Sequence, residues 1–146
     1  YGAVYTIWLK RKSIWNIVIG GLAGSFATLA GSAAVNPIIA PEAVILSVIL
    51  FLWTPPHFWS LAMAIGDDYE KAGIPMLPNT LSNSLTTYII LSHTIILVFV
   101  TALLMLYSSS LFYIFAIFIG GGYFICTSIL LAIKKKKSAA MKNFFG

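Results

Sequence analysis

Four long apolar stretches without an ionised side chain are the feature that most constrains the fold of this chain. They cover residues 14–35, 43–66, 85–107 and 111–133. A helix needs about 20 apolar residues to cross a bilayer, and irregular backbone is not tolerated in lipid because its polar groups find no partners there. The sequence therefore predicts an all-α, polytopic transmembrane helix bundle that forms one membrane domain over residues 1–146.

The composition excludes most soluble classes of protein. Only 9% of the residues are charged, whereas a soluble domain usually has about 25%, and the mean hydropathy is +0.94. The net charge of +5 does not indicate nucleic-acid binding, because the basic residues form short clusters beside apolar spans and no continuous polar face. The lipid bilayer is the expected environment.

The distribution of charge predicts the orientation of the spans. If the spans alternate across the membrane, the opposite side holds only Glu42, and all nine basic residues share one side: Lys10, Arg11, Lys12, Lys71, Lys134, Lys135, Lys136, Lys137 and Lys142. Positive charge stays on the cytoplasmic or matrix side, and the run "KKKK" at 134–137 is expected only to set this topology and to contact lipid. We therefore expect a bacterial inner membrane protein, or one of the mitochondrial inner membrane, with the 67–84 loop on that side. The opening "YGAVYTIWL" reads as the end of a preceding span, so a longer protein is expected.

The first span is rich in small residues, which predict close packing against other helices. Gly20 and Gly24 form a GxxxG pair, and Ala27 and Gly31 repeat the spacing. Small residues let helix backbones approach each other in a membrane. This span is expected to lie inside a bundle.

The loop at 67–84 is the only long segment rich in ionisable groups. It begins with the adjacent carboxylates Asp67 and Asp68. Carboxylates at a membrane surface suit Mg²⁺, which takes one or two protein carboxylates and completes its shell with phosphate and water. The alternative is that both residues only solvate a helix end.

The motif "WTPPHFW" places two prolines and a histidine inside a span. Pro55 and Pro56 remove hydrogen bonds to two carbonyls, for which Thr54 is a candidate donor, and His57 is a polar residue at membrane depth. The motif thus indicates a protein-lined cavity, with a structural role for His57 as the alternative. If the helix continues to Asp68, that residue lies about 16 Å along the axis from His57 and roughly 20° around it, so Trp53, His57 and Asp68 would lie on one stripe of the helix. For His93, a hydrogen bond between helices is expected.

Three segments resemble a known family. The stretches "YTIWLKRKSIWNIVIGGLAGSF", "FLWTPPHFWSLAMA" and "DDYEKAGIPMLP" resemble, in order, the haem O synthases within the UbiA-type intramembrane prenyltransferases. The resemblance implies an all-helical membrane enzyme that transfers a farnesyl group from farnesyl diphosphate to a vinyl group of haem B. It also implies Mg²⁺ between the diphosphate and two acidic motifs, with haem A synthase or oxidase assembly proteins as further partners.

The resemblance also implies roles for individual residues. Asp67 and Asp68 correspond to the second acidic motif and would hold the metal. His57 and Tyr69 are the candidate catalytic residues. The cations for the diphosphate would be Lys10, Arg11 and Lys71, and the expected aromatic cavity walls are Trp53, Phe58 and Trp59.

Two alternatives stay open. A prenyltransferase for a quinone or chlorin precursor is the second reading. Relatives that prenylate phenols carry a DxxxD motif whose ends would fall on Ile65 and Tyr69, so the sequence fits the haem O synthases better. A non-catalytic membrane subunit or carrier, with the prolines as a hinge, is the third. Since the first acidic motif is not in this sequence, the chain by itself is expected to be inactive.

Overall fold

The structure, a computed structural model, describes residues 11–107 and 110–146. Within these ranges the chain is helical and contains no strand: α1 Asn16–Val35, α2 Pro41–Ala64, α3 Gly66–Lys71, α4 Leu77–Thr80, α5 Asn83–Leu103, α6 Leu111–Ala116, α7 Gly122–Lys134 and α8 Lys137–Phe144. A 3₁₀ turn extends α5 to Leu106, and a π-helical turn, Ile117–Gly121, joins α6 to α7. Four helical segments are long and apolar enough to cross a membrane, which confirms the prediction of an all-α polytopic bundle.

The first two spans pack closely, but not through the predicted glycine pair. Gly21 and Ser25 are the buried small residues of α1, whereas Gly24 and Gly31 have open space beside them in the described part of the chain. A Cβ atom on Gly21 would lie 3.2 Å from the Thr54 side chain, and Ser47 Oγ donates to Ser25 O at 3.0 Å. The face of α1 that contacts α2 is thus displaced by one residue from the face predicted by Gly20 and Gly24.

Helix α2 continues through both prolines, and each is buried. Thr54 Oγ1 donates to Leu50 O at 2.8 Å. The prediction that this hydroxyl would satisfy a carbonyl freed by the prolines was wrong, because Pro55 and Pro56 free the carbonyls of Phe51 and Leu52, four residues earlier.

The end of α2 differs from the continuous helix considered above. The helix ends at Ala64, since Ile65 leaves helical geometry with φ −122° and ψ 35°, and α3 begins at Gly66. The stripe from Trp53 to Asp68 therefore does not exist as one helix face. The 67–84 loop contains most of α3, the short α4 and the first residues of α5.

The chain after α7 turns back and packs into the bundle. Lys135 adopts a left-handed conformation with φ 50°, which costs a non-glycine residue about 1–2 kcal/mol, and its N–H bonds to Leu131 O at 2.8 Å. Helix α8 then packs against α2 and α7. Its Ala139 and Ala140 join a core that includes Trp59, Ile90 and Leu131.

Candidate active site

A polar cavity of about 260 Å³ lies where α2 ends and α8 begins. We call it the acidic pocket. Five parts of the fold contribute polar side chains to it: α3, α4, the start of α5, the turn between α7 and α8, and the first residue of α8. These side chains are Asp67, Glu70, Asn79, Asn83, Lys135, Lys136 and Lys137.

The acidic pocket is held together by contacts between distant segments. Lys137 Nζ lies 2.8 Å from Asp67 Oδ2, and Lys135 Nζ donates to Ser84 Oγ at 2.6 Å. The hydrogen bond and charge of Lys137 lower the pKa of Asp67 below its usual value, and the charge of Lys71 adds to this. The expectation that the KKKK run only sets topology was therefore wrong for Lys135 and Lys137, which contact the loop.

The carboxylates of the acidic pocket differ from the pair expected from the sequence. Asp67 and Glu70 are three residues apart on α3, so they share one helix face, and both line the pocket. Asp68 is not among the lining residues. Glu70 was not among the site residues expected from the sequence, although its spacing from Asp67 was the available signal.

The donor set of the pocket fits a magnesium ion that is shared with a phosphate group. Within the described ranges, no group of three or more His, Cys, Asp or Glu residues could hold a metal. Mg²⁺ usually retains waters and binds one or two carboxylates together with substrate phosphates. Asp67 and Glu70, with the amides of Asn79 and Asn83 nearby, provide such a set. Metal binding by Asp67 and Asp68 remains a prediction.

A second, open groove of about 420 Å³ lies on the other side of Glu70. Arg11, Lys12 and Pro75 line it, and Glu70 and Asn79 line both this groove and the acidic pocket. Asn16 Nδ2 donates to Pro75 O at 2.9 Å, which ties the start of α1 to the loop. This hydrogen bond therefore keeps the groove next to the acidic pocket.

Lys71 and Tyr69 line neither of these two cavities. Lys71 is exposed in the last turn of α3, and Lys10 lies outside the described residues. Tyr69 is half-buried, and burial raises its pKa above the ordinary value. Its phenol therefore stays protonated at neutral pH, so it can donate a hydrogen bond but is a poor base.

At membrane depth, His57 is enclosed by aromatic rings. Its imidazole stacks on Trp53 with ring centroids 4.1 Å apart, and Phe144 of α8 lies on it at 4.2 Å. Phe58 meets it edge-on at 5.3 Å. Both faces of the imidazole are therefore covered by aromatic rings.

The three predicted cavity walls are in different places. Trp53 lines an apolar cavity of about 250 Å³ together with Leu97, Tyr113 and Phe124. Trp59 is buried in the core, where its ring meets His93 edge-on at 5.3 Å, and Phe58 lies beside His57. The hydrogen bond of His93 is with Ile89 O of its own helix, at 3.0 Å, so the expected bond between helices was wrong.

A buried polar network joins α8 to three other helices. Asn143 Nδ2 donates to Ser60 Oγ at 2.8 Å, and its Oδ1 accepts from Thr127 and Ser128 at 2.9 and 2.8 Å. Ser128 Oγ is in turn 2.9 Å from Thr94 Oγ1. This network was not predicted from the sequence; the available signal was an asparagine among the mostly apolar residues of "AAMKNFF".

Comparisons with known proteins agree with the resemblance seen in the sequence. The family model described as the UbiA prenyltransferase family matches residues 1–146. Protoheme IX farnesyltransferase 2 of Paramagnetospirillum magneticum is 64% identical over 98 residues, which are 67% of this chain and 34% of that protein. Protoheme IX farnesyltransferase of Gloeobacter violaceus is 50% identical over 101 residues, 69% of this chain and 33% of that protein.

A third relative gives the same result. Protoheme IX farnesyltransferase of Roseiflexus castenholzii is 52% identical over 103 residues, 70% of this chain and 19% of that protein. The matched part is thus about a third or less of each of these relatives. No solved structure matches the chain significantly. Because the family model covers all of its residues, the chain belongs to the UbiA prenyltransferase family.

Proposed function

We propose that this chain is part of a protoheme IX farnesyltransferase. Such an enzyme transfers the farnesyl group of farnesyl diphosphate to a vinyl group of haem B, giving haem O and diphosphate for haem–copper oxidase biogenesis. The observation that carries the proposal is the arrangement around α2. Its end borders the acidic pocket with Asp67 and three lysines, and Trp53 near its middle lines an apolar cavity.

The charged side chains suit the diphosphate. Lys135, Lys136 and Lys137 line the acidic pocket, and Arg11 and Lys12 line the groove beyond Glu70. Breaking the bond between the allylic carbon and the diphosphate oxygen leaves negative charge on the leaving group, and fixed cations stabilise that charge. A bound Mg²⁺ would add charge neutralisation, with Asp67 and Glu70 as its protein ligands. The carboxylates then serve the metal, and the lysines and Arg11 serve the phosphate oxygens.

The apolar side chains suit the farnesyl and porphyrin groups. The cavity beside Trp53 is lined almost entirely by apolar residues. An allylic cation produced by loss of diphosphate is captured by water, so a water-poor cavity protects it. An indole ring can also attract a cation through its π face. Trp53 is therefore the cavity-wall residue that we assign to the prenyl group, and Phe58 borders His57 on the same helix.

The orientation and the later partners belong to the same proposal. Five basic residues of the described chain line the acidic pocket or the groove beside it: Arg11, Lys12, Lys135, Lys136 and Lys137. This favours the cytoplasmic face of a bacterial inner membrane or the matrix face of a mitochondrial one. Haem O made there would pass to haem A synthase or to oxidase assembly proteins. The four apolar helices and the family make the protein a multi-pass membrane protein in either case.

An acceptor assay tests the reaction. The protein would be expressed from its complete gene, reconstituted in lipid vesicles, and supplied with farnesyl diphosphate, Mg²⁺ and either haem B or hydroxybenzoate. We expect haem O by mass spectrometry with haem B and no prenylated hydroxybenzoate. The variant Lys142→Ala, which changes an exposed lysine, should give the same product as the unchanged protein. Prenylation of hydroxybenzoate in place of haem B would instead support a quinone-pathway enzyme.

A further inference from the structure

Helix α8 contacts both halves of the candidate site. At its first residue, Lys137 meets Asp67 of the acidic pocket at 2.8 Å. Near its end, Phe144 covers the imidazole of His57 at 4.2 Å. Asn143 lies about 9 Å along the helix from Lys137, so a single short helix connects the surface carboxylate to the histidine at membrane depth.

Asn143 fixes this helix in place. Its side chain is fully buried. The side-chain amide forms hydrogen bonds with the Ser60 hydroxyl on α2 and with the hydroxyls of Thr127 and Ser128 on α7. A buried amide without partners is costly, so α8 cannot rotate or slide without losing these bonds. Ala139 and Ala140 of α8 also pack in the core, but their small side chains specify the position of the helix less sharply.

The ion pair alone does not hold α8 in place. Lys137 and Asp67 are both mostly exposed, and exposed ion pairs contribute little to stability. In addition, the turn before α8 carries Lys135 in a left-handed conformation, which a lysine adopts only when the surrounding structure requires it. The position of Lys137 is therefore set by the buried end of α8.

We propose that Asn143 is a positioning residue of the active site: by anchoring α8 between α2 and α7, it holds Lys137 at the acidic pocket. Lys137 neutralises Asp67 there and is placed to bind a phosphate oxygen of the substrate. The part of this inference that concerns substrate rests on the proposed function. The positioning itself does not depend on any activity.

A zero-length cross-link tests the positioning directly. A carbodiimide couples the Lys137 amine to the Asp67 carboxylate only when they touch, and peptide mass spectrometry identifies the link. In the whole protein in vesicles, we expect the link in the unchanged chain and a loss of at least about fivefold in Asn143→Ala, in keeping with lost contact between the two groups. Lys137→Arg, which cannot form the amide, shows that the detected link is specific.

The matched control separates positioning from general loss of stability. Ser47→Ala removes a buried hydrogen bond between α1 and α2, away from α8, and should retain the Lys137–Asp67 link. If Asn143→Ala does not accumulate, Thr127→Val is tested in its place. This variant removes one of the two hydroxyls that donate to Asn143 Oδ1, and the yield of the Lys137–Asp67 link is measured in the same way. A wild-type yield of the link in the variant that is tested would overturn the proposal.

Kinetics provide the second measurement. In Asn143→Ala and Lys137→Ala, KM for farnesyl diphosphate should rise to a similar extent. The KM of the double variant should not exceed the higher KM of the two single variants, because the effects of residues that act through one contact are not additive. Lower stability with an unchanged KM would show a purely structural role and overturn the inference. If the unchanged protein transfers no farnesyl group, the proposed function fails, and the cross-link still decides the positioning.

Discussion

Asn143 and Ser60 lie 83 residues apart in the sequence, and a hydrogen bond of 2.8 Å joins Nδ2 of the first to Oγ of the second. Both side chains are fully buried. This bond connects α8 to the helix that carries His57. It makes the segment after α7 a part of the bundle core.

Removing the Ser60 hydroxyl should therefore destabilise the bundle. Ser60→Ala leaves the Asn143 amide without its acceptor, and the expected loss in free energy of unfolding is about 0.5–2 kcal/mol. Titration with a denaturing detergent, followed by circular dichroism, measures it. Ser92→Ala is the matched control, because Ser92 is exposed and bonds only within its own helix. Equal stability of the two variants would contradict the role of the network.

Gly121, which ends the π-helical turn, and Gly122, which begins α7, should differ in their tolerance of alanine. A Cβ atom on Gly121 would lie 3.0 Å from Val98 Cγ1, whereas Gly122 has open space within the described residues. Gly121→Ala should cost about 1–3 kcal/mol by overpacking, and Gly122→Ala should be neutral or stabilising by up to about 1 kcal/mol. The same detergent titration compares them. The opposite order would show that α5 does not pack on this turn as described.

Tyr69 should not be responsible for any pH dependence of activity near neutrality. Because burial raises the pKa of its phenol, the neutral form is favoured in the folded state. Its contribution to stability is complete below the unfolded pKa of about 10 and is lost as pH rises through the higher folded value. Absorbance titration of the unchanged protein against Tyr69→Phe should place its ionisation above pH 10. Ionisation of Tyr69 near pH 7 would contradict this and restore it as a candidate base.

The two adjacent aspartates should differ in their effect on metal dependence. Asp67 lines the acidic pocket and Asp68 does not, so Asp67→Asn and Glu70→Gln should each raise the Mg²⁺ concentration for half-maximal farnesyl transfer. We expect more than about a tenfold rise, equivalent to at least 1.4 kcal/mol. Asp68→Asn is the matched control with a smaller effect. The same rise in Asp68→Asn would return the metal to the adjacent pair.

The spans were predictable from the sequence because they depend on local properties. Uncharged apolar runs of more than 20 residues have few alternatives in a membrane. The acidic pocket was only partly predictable. Asp67 was found by its charge, and its three-residue spacing from Glu70 was the signal for the second carboxylate. The break at Ile65, which separates α3 from α2, was not predicted, because the apolar pattern was extended as one continuous helix.

Helix α8 was the least predictable part. The bond between Asn143 and Ser60 and the ion pair between Lys137 and Asp67 join residues 83 and 70 positions apart. Contacts at such separations depend on how the spans assemble, and local composition gives no sign of them. The lysine run fits a topology signal, so the contacts of Lys135 and Lys137 with the loop were not predicted.

The haem content of cells tests the central claim most directly. Cells that lack haem O synthase would carry the complete gene, either unchanged or encoding Asp67→Asn together with Glu70→Gln, at equal protein level, and their extracted haems would be separated by chromatography. We predict haem O with the unchanged gene and none with the double variant. Absence of haem O with the unchanged gene would contradict farnesyl transfer to haem B, and equal haem O from both genes would contradict the acidic pocket as its site.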